Sequence, residues 1–344
     1  MESVEIHNYK FICFTDAGCN LMLKVVKSLV VNIEKPGKEN SEIEDAIIPN
    51  KLHDLKSFIE KSFKTGNILV FIGAMGIAVR SIAPFIKDKT TDPAVIVIDE
   101  KGEFVIPVLS GHIGGAVDAA RTIATQIGAT PVVTTATDVE GLFAVDVFAC
   151  KNGMFMSDMK KAKEFSAKLI NNKTASYYVD EQYLHIDNFP PELKRDTGVF
   201  DAPDMIITPE KTNGDILQLI PKCIVVGMGC KRETAGDKLY AFCAECLDKA
   251  GLDIHSVKAI VSADIKSEEP GLQDLSKWLD ADFITFSSAT LMEQEGEFSS
   301  SDFVKSVTGA DNICERAVIA YGCHKLLVKK TARDGMTFAC GTRP

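Results

Sequence analysis

Between Asn67 and Thr135 short runs of Val, Ile and Leu alternate with amphipathic stretches, and each run ends in a turn rich in glycine or polar residues. Apolar strands separated by helical segments are the pattern of βαβ units, whose sheets are buried on both faces. That pattern confines the chain to an α/β fold. The turns are Gly73–Arg80 (GAMGIAVR), Ser110–Ala116 (SGHIGGA) and Thr134–Asp138 (TTATD). Ligands of open α/β sheets bind beyond the carboxyl ends of the strands, so three such turns in succession predict one site and an enzyme.

The chain of 344 residues is 46% hydrophobic and 25% charged, which suits two or three domains, each with its own core. No apolar run reaches the roughly 18 residues a membrane span needs, and Met1–Lys10 lacks a signal-peptide pattern. The expectation is a cytoplasmic protein with no membrane partner. A net charge of −10, without a basic stripe, argues against a nucleic-acid partner. Ten cysteines with no secretory signal read as reduced, mostly buried thiols.

Hydrophobic periodicity divides the chain into an N-terminal α/β domain over 1–139, a smaller intermediate region over 140–221 and a C-terminal α/β domain over 222–344. The fold class is therefore α/β, two open sheet domains joined by a smaller region. Strands are predicted near Tyr9–Thr15, Asn67–Ile72, Ala94–Asp99, Glu103–Leu109 and Pro131–Thr135, with a Glu100-Lys101-Gly102 turn inside the series. Helices are predicted to Ser28, over Lys51–Lys64, Gly76–Phe85 and His112–Ile127, the last closed by Gly128. In the second α/β domain the strands are Cys223–Val226, Val257–Ala263, Phe283–Phe286, Leu326–Val328 and Met336–Ala339.

In SGHIGGA, Ser110 is the expected N-cap, and Gly111, Gly114 and Gly115 let backbone approach a neighbour closely. First-turn N–H groups lack partners and lie at the positive end of the helix dipole, a cradle for a carboxylate or an oxyanion. The same field disfavours imidazolium, so His112 is expected to be neutral and able to act as a base. Glycines serving only helix-to-sheet packing are the alternative. In GAMGIAVRS, Gly76 frees the approach to Arg80, which suits a carboxylate clamp or a solvated surface equally. Lys87 and Lys89 read as solvated. Thr134, Thr135 and Asp138 offer hydroxyls and a carboxylate to orient water, or form a turn with a capping Asp.

The second α/β unit opens with IVVGMGCKRETAGDKL. Gly227 and Gly229 follow a strand, but Arg232 stands where a dinucleotide fingerprint needs its third glycine, and points instead to an acidic ligand. Cys230, Lys231 and Arg232 form a candidate anion site, and a thiol beside two cations is expected to have a lowered pKa; a tight turn with exposed charges is the alternative. Cys243 and Cys246 fall on the stripe Leu239, Phe242, Cys243, Cys246, Leu247, Ala250, so they are assigned to packing and to no metal. Walker A, G-x-S-x-G and H-E-x-x-H motifs are missing from the chain. Glu315, in the first turn of a helix over Asn312–Gly322, satisfies the helix dipole.

Together GIAVRSIAPFI, DPAVIVIDEKGEFVIPVLSGHIGGA, PVVTTATD, VVGMGCKRETA, NICERAVIAYG and KLLVKK resemble the CbiG family of cobalt-precorrin-5A hydrolases, the last three in its CobE-like C-terminal part. Two positions depart from the family pattern: Glu315-Arg316 stands for a common Glu-Pro, and Lys231 for a common Arg. The resemblance implies a cobalt-bearing tetrapyrrole substrate of anaerobic cobalamin biosynthesis, whose δ-lactone is opened and whose methylated meso carbon leaves as acetaldehyde. It implies catalytic roles for His112 and Glu315. Substrate contacts would come from Gly76, Arg80, Ser110, Gly111, Gly114, Gly115, Thr134, Thr135, Asp138, Gly227, Gly229, Cys230 and Arg232. Cobalt would arrive within the substrate and no protein cofactor is expected; a homodimer is compatible with the sequence. The rival readings are a non-catalytic tetrapyrrole carrier and a nucleotide-dependent oxidoreductase or methyltransferase.

Overall fold

Val and Ile pack well on a pleated surface covered on both sides, and the apolar runs of the N-terminal region form such a surface. The computed structural model describes residues 8–31, 46–47, 52–111, 114–135, 140–196, 202–300 and 309–343. The first sheet has the order β2-β1-β3-β4-β5-β6. Its strands are β1 (Tyr9–Cys13), β2 (Ala46–Ile47), β3 (Ile68–Ile72), β4 (Ala94–Ile98), β5 (Phe104–Leu109) and β6 (Thr130–Pro131). Four helices accompany it: α1 (Asp16–Val31), α2 (Leu52–Ser62), α3 (Met75–Ile82) and α4 (Ala116–Ile127). On one face Val25, Val26, Ala120 and Ile123 of α1 and α4 meet Phe11, Val70 and Ile96. On the other, Leu55, Ile59, Ala78 and Ile82 of α2 and α3 meet Leu69, Phe71, Val95 and Val97. Alternate residues of one strand thus serve two cores, as the two-residue period of a strand requires.

β1 to β4 are parallel, but β5 pairs antiparallel to β4, Val95 facing Leu109 and Ile98 facing Val105. The reversal is made by a tight turn: Asp99 accepts the Lys101 and Phe104 N–H groups at 3.0 and 2.6 Å, and Gly102 takes φ +71°. β6 runs parallel to β5, and the Val132 N–H continues the pairing onto the Val105 carbonyl at 2.9 Å. β5 and β6 therefore carry Ser110–Gly115 and Thr134–Thr135 to the amino edge of β3 and β4, whereas Gly73–Arg80 leaves the carboxyl edge of β3. The single site predicted at one edge is not formed. A five-residue strand, about 13 Å long, separates the two edges.

Contacts gather the chain into two units, Met1–Leu142 and Phe143–Pro344. The second contains two sheets. One, ordered β7-β11-β10-β8-β9, comprises β7 (Met154–Met156), β8 (Ala175–Val179), β9 (Leu193–Arg195), β10 (Met205–Ile207) and β11 (Leu217–Pro221), with α5 (Val145–Lys151) and α6 (Met159–Asn172). The other, ordered β14-β13-β12-β16-β15, comprises β12 (Ile224–Gly229), β13 (Val257–Ala263), β14 (Asp282–Phe286), β15 (Lys325–Arg333) and β16 (Met336–Thr342). Its helices are α7 (Gly236–Lys249), α8 (Pro270–Trp278), α9 (Ser288–Met292) and α10 (Cys314–Ala320). The two sheets are tied by the Asp253 N–H donating to the Pro209 carbonyl at 2.8 Å and by Phe155 stacked on His255 with ring centres 3.7 Å apart. Cys243 and Cys246 are buried on α7 with Leu239, Phe242 and Leu247, while Ala250 is exposed at its carboxyl cap.

Candidate functional site

The amino edge of the first sheet holds a turn that closes on itself. Ser110 adopts φ +52° and Gly115 φ +82°. The Ser110 hydroxyl donates to the Asp92 carbonyl at 2.9 Å. The Ala116 N–H donates to the Ser110 carbonyl at 3.2 Å and the Val117 N–H to the Gly111 carbonyl at 2.9 Å. A Cβ on Gly114 would lie 2.4 Å from the Ser110 Cβ and 2.8 Å from its carbonyl oxygen, so only glycine fits there. Two expectations are corrected. Gly115, not Ser110, is the N-cap of α4, because the Ser110 hydroxyl is engaged by Asp92. The Ala116 and Val117 N–H groups of the first turn are not free, because the turn's own carbonyls accept them.

What is free lies one step earlier. The Gly114 and Gly115 amides have no acceptor among the described residues. They stand at the amino end of a twelve-residue helix, where the backbone field favours negative charge. Thr134 is exposed and Thr135 half-buried at the same edge. His112 and Asp138 lie outside the described residues. Sequence reasoning passed over Asp92, although Asp92-Pro93 before a strand is a turn signal. Its carboxylate accepts the Lys87 N–H at 3.2 and 2.9 Å and closes a turn that displays Lys87 and Lys89 to solvent.

At the carboxyl edge Arg80 is exposed and has no partner among the described residues. Its guanidinium lies back over the first turn of α3: a Cβ on Gly76 would stand 3.6 Å from both terminal nitrogens. Side chains in helices lean toward the amino end, which brings Arg80 over the residue four before it. The cation is thus held near the start of α3 and available to an anion.

In the second unit Gly227 and Gly229 are buried inside β12 rather than in a turn. A Cβ on Gly227 would come 2.0 Å from the Cys314 carbonyl oxygen, and one on Gly229 2.6 Å from the Thr337 hydroxyl. These glycines admit α10 and β16, a packing duty. Cys230, half-buried, departs from expectation: burial pushes its thiol up, against the opposing effect of Lys266. Lys231 and Arg232 point to solvent, and Arg232 has no partner among the described residues. Beneath them Lys266 and Glu269 pair at 2.7 Å, both buried, and Glu269 also accepts the Glu233 N–H at 2.6 Å.

Glu315 is 1% exposed. One carboxylate oxygen accepts the Ser299 N–H at 3.0 Å, the Ser299 hydroxyl at 3.2 Å and the Asn312 amide. The other accepts the Lys330 N–H at 2.8 Å, where β15 slips register between Val328 and Thr331. Neighbouring Arg316 bonds Asp311 at 2.8 Å and the Gln294 carbonyl at 2.9 Å, and lies 4.5 Å from the centre of the Phe298 ring. Both side chains tie α10 to the segment around 291–299.

These features define an α/β protein that has, among the described residues, two glycine amides without an acceptor at a helix start in one unit and an exposed arginine without a partner in each. Two family models match in order, cobalamin synthesis G N-terminal over residues 57–138 and cobalamin synthesis G C-terminus over residues 224–341. The chain is 32% identical over 359 aligned positions to the cobalt-precorrin-5A hydrolase of Salmonella typhimurium, covering 99% of each. It is 32% identical to that of Priestia megaterium, covering 84% of this chain and 82% of the relative. The crystal structure of CobE, from the cobalamin biosynthetic pathway, aligns with 36% of this chain and 93% of its own at 27% identity and a TM-score of 0.34. The chain belongs to the CbiG family of cobalamin synthesis.

Proposed function

We infer that this chain hydrolyses cobalt-precorrin-5A, as its relatives' names state, and that the Ser110–Gly115 turn is where the lactone is opened. The observation that carries the assignment of the turn is the pair of free amides on Gly114 and Gly115 beside the position of His112 in the sequence. A lactone carbonyl attacked by water becomes a tetrahedral oxyanion, and donors with no other partner need no reorganisation to receive it. His112 takes the proton of the attacking water as general base. The acyl–oxygen bond then breaks, giving a carboxylate and a hydroxyl on the methylated meso carbon. Loss of the hydroxyl proton lets that carbon leave as acetaldehyde, its bonding electrons passing into the macrocycle. The ring with its cobalt is the electron sink, so the step as written calls on no cofactor of the protein's own.

Arg80 is assigned to a peripheral carboxylate of the substrate, since it is exposed, charged and without a partner among the described residues. Glu315 is assigned to positioning, because its oxygens already accept four donors. The test is anaerobic incubation of the purified protein with cobalt-precorrin-5A while volatile aldehyde is trapped and macrocycle mass is followed. Acetaldehyde with the lactone-opened, shortened ring supports the reading. Tight binding with neither product would make the chain a tetrapyrrole carrier. His112→Ala should suppress lactone opening by about 10²-fold or more and leave binding measurable.

A further inference from the structure

Asp92 is a buried carboxylate, 6% exposed, that the reaction above does not use. Among the described residues its one donor is the Lys87 N–H, shared between both oxygens at 3.2 and 2.9 Å, and it has no ion-pair partner there. Burying a carboxylate is unfavourable unless it is hydrogen-bonded, and the bonds it makes here go to the backbone of its own turn. What it secures is the 87–92 turn, and the main chain of that turn is the wall against which the glycine turn is set. The Asp92 carbonyl accepts the Ser110 hydroxyl at 2.9 Å, and the Ala94 nitrogen would lie 3.4 Å from a Cβ on Gly114. Ser110 is held at φ +52°, a left-handed conformation that a non-glycine residue keeps only when its surroundings impose it. The Ser110 carbonyl in turn accepts the Ala116 N–H that opens α4.

We infer that Asp92 is a positioning residue of the lactone-opening step: it closes the 87–92 turn so that the turn's carbonyl holds Ser110 and aims the Gly114 and Gly115 amides. The inference rests on the function proposed above. Displacing an oxyanion donor by about 1 Å costs on the order of 10²-fold in rate. Asp92→Asn, which weakens the acceptor for Lys87, should therefore lower kcat roughly 10- to 100-fold while KM stays within about threefold. Ser110→Ala cuts the same link further along, so the double variant should fall no further than the worse single one. Unchanged kcat in Asp92→Asn, a loss confined to KM, or losses that multiply would each overturn the inference. Should Asp92→Asn fail to fold, full kcat in Ser110→Ala overturns it on its own.

A readout independent of turnover separates this inference from the function it rests on. In protein labelled with ¹⁵N-glycine, both substitutions should move the Gly114 and Gly115 amide resonances and leave those of Gly227 and Gly229 in place. Unmoved Gly114 and Gly115 resonances would overturn the positioning role whether or not the wild-type chain releases acetaldehyde. No acetaldehyde from the wild type, with the resonances shifted as expected, would bring down the proposed function and leave Asp92 as the residue that sets the Gly114 and Gly115 amides.

Discussion

Gly114 and Gly227 both exclude a side chain, but for different reasons and with different consequences. At Gly114 the obstacle is the turn itself, so Gly114→Ala should open the turn around Ser110 and abolish most turnover, at a stability cost of about 1–3 kcal/mol. At Gly227 the obstacle is the Cys314 carbonyl of a packed helix, so Gly227→Ala should lower stability by about 3 kcal/mol or more. Its kcat per folded molecule should be largely kept. Urea denaturation alongside single-substrate kinetics distinguishes the two. Arg80 is a different case, a cation without a partner among the described residues. Arg80→Ala should raise KM about 3- to 30-fold with kcat little changed, the mark of a contact made equally in ground and transition states.

The antiparallel pairing of β5 is the element on which the site depends. Glu100-Lys101-Gly102 between two apolar runs is a hairpin signal, and a turn that short cannot join parallel strands, which need a crossover of a dozen or so residues. The information that splits the three turns between two edges was therefore present in the sequence, and assigning the three turns to one site left it unused. The start of α4 was less legible, since Ser110 has the composition of an N-cap and only the neighbouring 87–92 turn diverts its hydroxyl. In the C-terminal sheet, Glu315 joins α10, β15 and the segment at Ser299. Glu315→Ala would take their shared acceptor from the Lys330 and Ser299 N–H groups and from the buried Asn312 amide, and should destabilise the protein by about 3 kcal/mol. A chemical-denaturation midpoint that moves by less than a few tenths of a kcal/mol equivalent would contradict that reading.

Across the molecule the ten cysteines behave as the composition predicted, as small hydrophobes, with Cys150 alone exposed. Burial raises the thiols of Cys13, Cys223 and Cys340 from 9.0 to about 12, and those of Cys314 and Cys323 to about 11. The sign follows from linkage. Below the unfolded value near 9 both states hold the proton, so these groups add no pH dependence; above it the unfolded chain ionises while the folded one does not. Stability should therefore decline from pH 9 and keep falling through pH 11–12, steeply because several thiols act together. Urea midpoints measured from pH 7 to 11 check this, and a flat profile would refute it. Under native conditions at pH 8 a thiol reagent should modify Cys150 first, with Cys13, Cys223, Cys243 and Cys340 reacting only on unfolding.

Local periodicity and turn chemistry, which depend on residues a few positions apart, were enough to establish the α/β class, most strands and helices, the packing of Cys243 and Cys246, and the motifs that place the chain in its family. Which motifs share an edge was a matter of long-range pairing. Gly227 and Gly229 look like ligand glycines until α10 and β16 are seen filling the space above them, and Glu315 looks like a free first-turn carboxylate until Ser299, Asn312 and Lys330 are seen donating to it. Asp92 acquires its part only because β4 and β5 bring residue 92 beside residue 110. Such juxtapositions follow from the direction of a strand and the register of its partner, quantities that no window of neighbouring residues contains.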